Sequence, residues 1–586
     1  MAIIALADLA QDPLRLVAKM SQYPHDPHTP RPKEAMALVL LFTPMFAHSL
    51  IENRDSAPTV LTSAIAHIFE PMLIAPGDPQ RFLALAAVVD RLPGHGNGPI
   101  KDKQGYEGIG YAVMPESLIS STDRTISSKS LPKDAPETGT LTFEVQAMIK
   151  NPFFVDTNDG IAHRIEMPLA NTIFQTGRNT TMLACQYISA ARENTGQAGS
   201  REARRNLLFT NRLDLLHQKV TWPLKYWLEH DEVEHYGTQS MHIPLVPLTI
   251  PREVRSGMGN IIRETVSAEG KPVPASQELE RAVSAYFRAE RLVPHAMPVW
   301  ALVSSRDAAE EMSCRIMERI KLLHRLPLEQ TTPTEVQAFI SQHFMDVWDT
   351  PLRGWTTIMW NAMFKGGARL HRVLSGGGGW GKKAGLLSLD PRVSVVQASE
   401  DQPPSFEFDE RFDGGRSSLT QPLEEVAKEG EFIQFFAAFK PFRWSDWTPM
   451  TPDKTKRMLV LGAIPSSIDD IRHREPDDAS LTNIRHHIKF FGVLSEKGMS
   501  IHSVLRNGGP SGDKECLRSM VDVPFAMFRQ RLPADHLVSG HREIVPEIEP
   551  DDFDSSKEPE PEEREEVEAQ TDSNKSETGS SKVSLD

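Results

Sequence analysis

The sequence predicts a mixed α/β or α+β fold in two packed domains, followed by an acidic C-terminal tail without structure. Three observations carry this. Two strongly apolar runs, "AMALVLLF" (35–42) and "FLALAAVVD" (82–90), have the length of buried strands. Between them "TVLTSAIAHIF" (59–69) is apolar at helical spacing, with Leu61, Ile65 and Ile68 on one side. Residues 546–586 hold 15 acidic and 4 basic residues and almost nothing apolar, so they cannot form a core.

The chain has 586 residues, more than one core can serve. Residues 1–34 read as a proline-containing arm and 35–266 as a first α/β domain. The stretch 267–276 ("SAEGKPVPAS") reads as a linker, 277–545 as a second α/β domain and 546–586 as the tail. Within the first domain "EGIGYAVM" (107–114) is a third strand. Residues 115–140, rich in Ser, Thr and Pro, suggest a surface loop. "MPLANTIF" and "TTMLACQY" flank "QTGRN" (175–179) and suggest a β-hairpin. "SREARRNLLFTNRLDLLHQKV" (200–220) suggests a basic helix.

In the second domain Ser276 would cap a helix through "QELERAVSAYFRAERL". "MPVWALV" (297–303) reads as a strand. Ser304 or Ser305 would cap the helix that begins at Arg306. "TPTE" (332–335) is a capping box with Pro333 at the first helical position and predicts a helix from 333 to about 347. "WTTIMWNAMFK" suggests another helix. "RVSVVQA", "GEFIQFFAAF" and "RMLVLGAI" suggest strands.

The net charge of −15 is misleading, because 11 of those charges lie in the tail. The body carries 60 basic against 64 acidic residues, so no global bias toward nucleic acid exists and only local basic patches could bind it. Cys185, Cys314 and Cys516 are few, odd in number and far apart, which predicts neither disulfides nor a zinc site. The start of the chain does not read as a secretory or transit peptide. The longest apolar run, 35–51, contains Pro44 and His48 and is too short for a membrane span. An intracellular location is expected, cytoplasmic before mitochondrial or nuclear. The glycosylation triplets at Asn179 and Asn574 then mean nothing.

One segment invites chemistry: "RLHRVLSGGGGWGKKAGLLSLDP" (369–391). Gly376 to Lys382 fits the opening of a phosphate-binding P-loop. Lys383, however, stands where a Ser or Thr must hold Mg²⁺, and Gly385 and Pro391 leave no room for the helix that must follow. A nucleotide-hydrolysing P-loop is therefore not expected. What remains is an anion-contacting loop. Gly376, Gly377, Gly378, Gly379 and Gly381 can expose backbone N–H groups in a nest. Arg369, Arg372, Lys382 and Lys383 supply positive charge, and Trp380 offers a face for a base. The ordinary alternative is a plain turn with solvated lysines.

Other candidates fail on spacing. In "EHDEVEH" (229–235) the two histidines are five apart and face differently on a helix. His473, His486 and His487 lack partners at ligand spacing. "GHGNG" (94–98) and "GYEGIG" (105–110) miss the dinucleotide pattern, and "GGPSG" (508–512) misses the nucleophile elbow. "FKPFRWSDWTPM" (439–450) reads as core aromatics. No catalytic residue, cofactor or metal is expected. The reading is an intracellular, non-enzymatic binding or regulatory protein. Its partner would be another protein, or a phosphate-bearing ligand or RNA at the glycine loop. The rival is an enzyme with a dispersed site acting on a phosphorylated or nucleotide-like ligand.

Overall fold

The computed structural model describes residues 2–6, 12–25, 34–51, 56–74, 78–93, 105–120, 138–148, 160–190, 206–222, 239–324, 332–342, 359, 362–363, 366–376, 385–394, 425–438, 457–466, 485–488, 490–506 and 514–532. All of them belong to one compact unit, Met1–Val538. Helices and sheets are mixed, as expected. The acidic tail, "EHDEVEH", His473, the "GHGNG" and "GGPSG" stretches and "FKPFRWSDWTPM" lie outside the described residues.

Four sheets organise the unit. The first runs in the order β21 (Arg485–Ile488), β1 (Ala2–Leu6), β4 (Glu107–Pro115), β2 (Met36–Phe42), β3 (Arg81–Val88), β8 (Met182–Ala190) and β9 (Asn206–Asp214). The second is β24 (Lys514–Val521), β23 (Met499–Arg506), β7 (Gly160–Pro168), β6 (Thr140–Met148), β10 (His217–Trp222) and β5 (Ile119–Ser120). The third is β11 (Gln239–His242), β25 (Met527–Leu532), β20 (Arg457–Ala463) and β22 (Phe490–Ser495).

The fourth begins with β12 (Leu245–Pro247), followed by β19 (Phe432–Ala438), β13 (Arg252–Met258), β14 (Ile261–Val266), β18 (Leu387–Leu389), β17 (Arg369–Gly376) and β16 (Val299–Ser304), with β15 (Pro272–Pro274) beside β14. Because β16 also pairs with β19, six of these strands close into an antiparallel barrel.

The apolar runs are what make these sheets. Every residue of β2 is buried, and β2 pairs in parallel with β3, seven buried residues of which lie beside it. The helix Thr59–Ile68 makes the right-length crossover and buries Leu61, Ile65 and Ile68 in a core that includes Phe42, Phe69 and Phe82. A second, larger core draws on residues from Ala37 to Phe528 and so spans both expected domains. Ala35–Ile51 is a buried strand followed by a short 3₁₀ helix, and no helix among the described residues is long and apolar enough to cross a membrane.

The capping box forms as read. The Thr332 N–H donates to Glu335 Oε2 at 2.7 Å, the Glu335 N–H donates to Thr332 Oγ1 at 3.3 Å, and the helix is described over Pro333–Gln342. The Ser305 hydroxyl accepts from Ala308 N–H at the start of the helix Arg306–His324.

Five expectations are corrected. Of the basic stretch 200–220, the described residues 206–220 are not a helix but contribute to β9 and β10. Its alternation (Gln218, Val220 and Trp222 buried, the residues between them less so) has the strand period, and tertiary pairing wins over helix propensity. The segments around "QTGRN" do not pair with each other, because β7 and β8 belong to different sheets. Between them Thr172 holds a short helical turn, bonding Thr181 and the Arg178 carbonyl.

The 267–276 stretch is not a linker. Its Ser267 N–H donates to Lys271 O, and β15 folds back on β14. Ser276 lies inside the helix Ala275–Ala289, whose N-cap is Pro274. Finally, "RVSVVQA" is not a strand where described (392–394); the strand is β18, just before it.

Two helices are tied to the barrel by a buried charge. Arg252 on β13 donates to Glu278 Oε1 at 2.8 Å on the helix Ala275–Ala289, and to Gln337 Oε1 at 2.9 Å on the helix Pro333–Gln342. Removing one member would strand the other out of water. Arg252→Met should therefore cost about 3–5 kcal/mol in urea unfolding. A loss below about 1 kcal/mol would show that the pair does not hold the helices.

Candidate anion-contacting face

Strand β17 carries the front of the predicted loop. It is flanked by β16 and β18, both antiparallel to it. The glycine-rich segment therefore joins two antiparallel barrel strands, and the next described element after it is β18. A P-loop needs a strand leading directly into a helix; the described elements that flank this segment are both strands. Gly376 ends β17, whereas Gly377, Gly378, Gly379, Trp380, Gly381, Lys382 and Lys383 lie outside the described residues.

The two arginines do not both attend the loop. Arg369 is at the opposite end of the eight-residue strand, roughly 23 Å from Gly376 at strand rise. It is also neutralised by Glu431, to whose two carboxylate oxygens it donates at 3.1 and 3.2 Å. Arg372 is nearer, exposed, and 4.0 Å from Asp522 just past β24.

Exposed Arg372 and Leu374 mark the outer face of β17. His371, of opposite parity, points into the barrel beside Ala301. It is 2% exposed. Its Nδ1 lies 2.8 Å from the Asp390 carbonyl, which can only accept, so Nδ1 carries the proton. Nε2 is then a bare lone pair with no partner among the described residues. Burial is the main force that pushes this histidine down to about 4.

Beside the barrel, the second sheet carries a charged row that no local motif announced. On one face of five adjacent strands stand Arg518 (β24), His502 and Ser500 (β23), Arg164 and Glu166 (β7), Glu144 (β6) and Lys219 (β10). Glu144 accepts from Arg164 Nε at 2.9 Å and from Lys219 Nζ at 3.3 Å. Glu166 Oε2 accepts from Ser394 Oγ at 2.8 Å and lies 3.3 Å from His502 Nε2. Burial pushes the Glu166 carboxyl up. The hydrogen bond and charge of His502, the Ser394 hydrogen bond and the Arg518 charge outweigh burial and hold it below the usual range.

Ser394 belongs to the segment that leaves β18, in which Arg392 grips Asp390 at 2.6–3.0 Å. Asp522 accepts from Trp300 Nε1 at 2.7 Å. The face thus continues from Lys219 on the sheet to Arg372 on the barrel.

Chemically this is not a nucleophilic site. Ser394 and His502 address the same carboxylate oxygen, whereas a triad needs the hydroxyl to face the imidazole. Among the described residues no group of three or more metal-ligating side chains converges. The arrangement does sort charge by depth. Glu144, Asp390, Asp522 and Glu166 side chains are 2, 10, 16 and 19% exposed, while Lys219, Arg164, Arg372 and Arg392 are 28, 42, 50 and 51% exposed. Carboxylates form the floor and cationic heads reach water. The chain matches no known family model, no curated protein and no solved structure.

His371 gives a pH test. Its folded value lies below the ordinary 6.5, so between pH 6.5 and about 4 the unfolded chain binds the extra proton. Stability is full above pH 6.5 and falls toward pH 4 by an amount on the order of 3 kcal/mol. His371→Leu should flatten that limb in urea titrations at stepped pH. An unchanged slope, or an NMR titration of His371 near 6.5, would remove His371 as its source.

Proposed function

We propose that the protein is a non-enzymatic binding protein for a phosphate-bearing chain, with single-stranded RNA the class that suits it. Contact is through the glycine-rich connection of β17 and β18, from Gly376 through Trp380 to Lys382 and Lys383, and through Arg372 beside it. The observation that carries this reading is the sorting of charge by depth on the adjoining face, where arginines and a lysine stand in water over withdrawn carboxylates. Arg372 can meet a phosphate without first breaking a tight ion pair, since its contact with Asp522 is 4.0 Å long. The glycines add backbone donors, and the indole adds a stacking surface. Arg369 is no longer part of the set, because Glu431 already satisfies it.

Binding of this kind is ionic in the main and weakens steeply with salt. Mixed-sequence single-stranded RNA would be titrated by fluorescence at several salt concentrations. Replacing Lys382 and Lys383 by Ala should lower the log–log salt slope by about one unit per lost phosphate contact. Arg372→Ala should act in the same direction, while Arg369→Ala should leave the slope unchanged. Trp380→Ala should cost roughly 1–3 kcal/mol of affinity with little change in slope. RNA that fails to bind, or binds equally well to all variants, would refute the reading.

A further inference from the structure

The helix Ala275–Ala289 starts where the glycine-rich segment ends. The Ser276 N–H donates to the Gly385 carbonyl at 3.4 Å, and Gly385 is the first described residue after that segment. The core fixes one face of this helix, burying Leu279, Ala282, Tyr286 and Phe287. On the face turned to water, Gln277, Arg281, Ser284 and Arg288 are exposed. At about 100° per residue these four fall within roughly 60° of arc, so they form one row along the helix. The carboxylates of the helix stand off that row. Glu280 lies at its edge, about 80° from Arg288, and Glu290 is about 160° away. Glu278 is turned inward and accepts from Arg252.

The helix also ends on an unexpected residue. The Arg291 N–H donates to Arg288 O at 3.2 Å and the Leu292 N–H to Phe287 O at 2.9 Å. This pair of bonds closes a helix around a left-handed residue, which is ordinarily glycine because glycine has no Cβ to strain. Here the residue is Arg291, at φ 51°. The turn is made against the preference of its own residue, so the turn does not account for the arginine. Its side chain is exposed and carries a third guanidinium past the last helical turn. From Gln277 to Arg291 the row runs about 20 Å at helical rise.

We propose that this row is the second half of the RNA site. The strand leaves the glycine-rich connection beside Gly385 and runs along the helix Ala275–Ala289, with its phosphates on Arg281, Arg288 and Arg291. Gln277 and Ser284 add neutral donors between them. The inference rests on the RNA reading and gives it a track and a direction. Each guanidinium offers a planar fork to phosphate oxygens, and three forks spaced along one axis suit a chain of phosphates better than a single anion.

The test is a fluorescence titration of the full chain with mixed-sequence single-stranded RNA at several salt concentrations, using Arg281→Gln, Arg288→Gln and Arg291→Gly. Each should lower the log–log salt slope by about 0.7–1 unit and weaken binding about fivefold at about 0.1 M salt. Arg15→Gln removes the same charge from an exposed position on the helix Pro13–Val17, which packs on the other core, and should change neither. Arg291→Gly should also melt no lower than wild type, because glycine relieves the left-handed position. A purely structural role for Arg291 could not give weaker binding at an undiminished Tm. If the Lys382→Ala, Lys383→Ala double variant weakens binding while the three helix variants behave like Arg15→Gln, this inference falls and the hairpin reading stands. If the wild type binds no RNA, both fall. Poly-glutamate that displaces RNA at equal charge concentration would assign the row to an acidic protein and overturn the proposal.

Discussion

The pairing of β16 with β19 is the contact on which the rest of this structure depends. Six residue pairs, from Val299 with Ala437 to Ser304 with Phe432, close a row of strands into a ring. Closure removes the two open edges that a six-stranded antiparallel sheet would otherwise expose. It is possible because β16 is buried along its whole length and so can pair on both sides. The same strand fixes the barrel to the neighbouring sheet, through Trp300 Nε1 and Asp522. A second tie, from the Leu370 N–H to Ser519 Oγ at 2.9 Å, lies one strand away. Those ties set the position of β17 against β24, and with it the continuity of the charged face.

What was legible in the sequence is what local physics decides. "AMALVLLF", "FLALAAVVD", "MPVWALV", "GEFIQFFAAF" and "RMLVLGAI" carry too much apolar surface to be anything but buried, and each contributes a strand. Thr332 and Glu335 form their box because both partners lie within one turn. The errors arise where a distant partner decides. Residues 206–222 have leucines that suit a helix, yet β8 and β6 offer edges to which they bond. "SAEGKPVPAS" has linker composition, but Gly270 turns the chain at φ +76° and β14 accepts its return.

The candidate face was illegible for the same reason. Glu144, Arg164 and Glu166, Lys219, Ser394, His502 and Arg518 are spread over nearly 400 positions, and the register of five strands brings them together. Single arginines in strands look alike in a sequence, and only the carboxylate opposite each one sorts them. Arg369 meets Glu431 and is satisfied, Arg372 reaches water, and Arg529 meets a sulfur. The glycine loop was conspicuous because its residues are consecutive, and conspicuousness is a property of spacing, not of chemistry.

The register of β1 sets a schedule for the ribosome. Ala2 to Ala5 bond to Ile488 to Arg485, and β7 near residue 160 bonds to β23 near residue 500. At ordinary elongation rates the first strand therefore waits roughly 25–100 s for its outer neighbour to be made. During that interval it can pair on one side alone, with β4, and the second sheet lacks two of its strands. Nascent chains in this state carry open, apolar strand edges, which is the condition under which holding chaperones are recruited. A chain stopped anywhere short of β24 would keep those edges permanently, so early termination should yield aggregates rather than smaller working pieces.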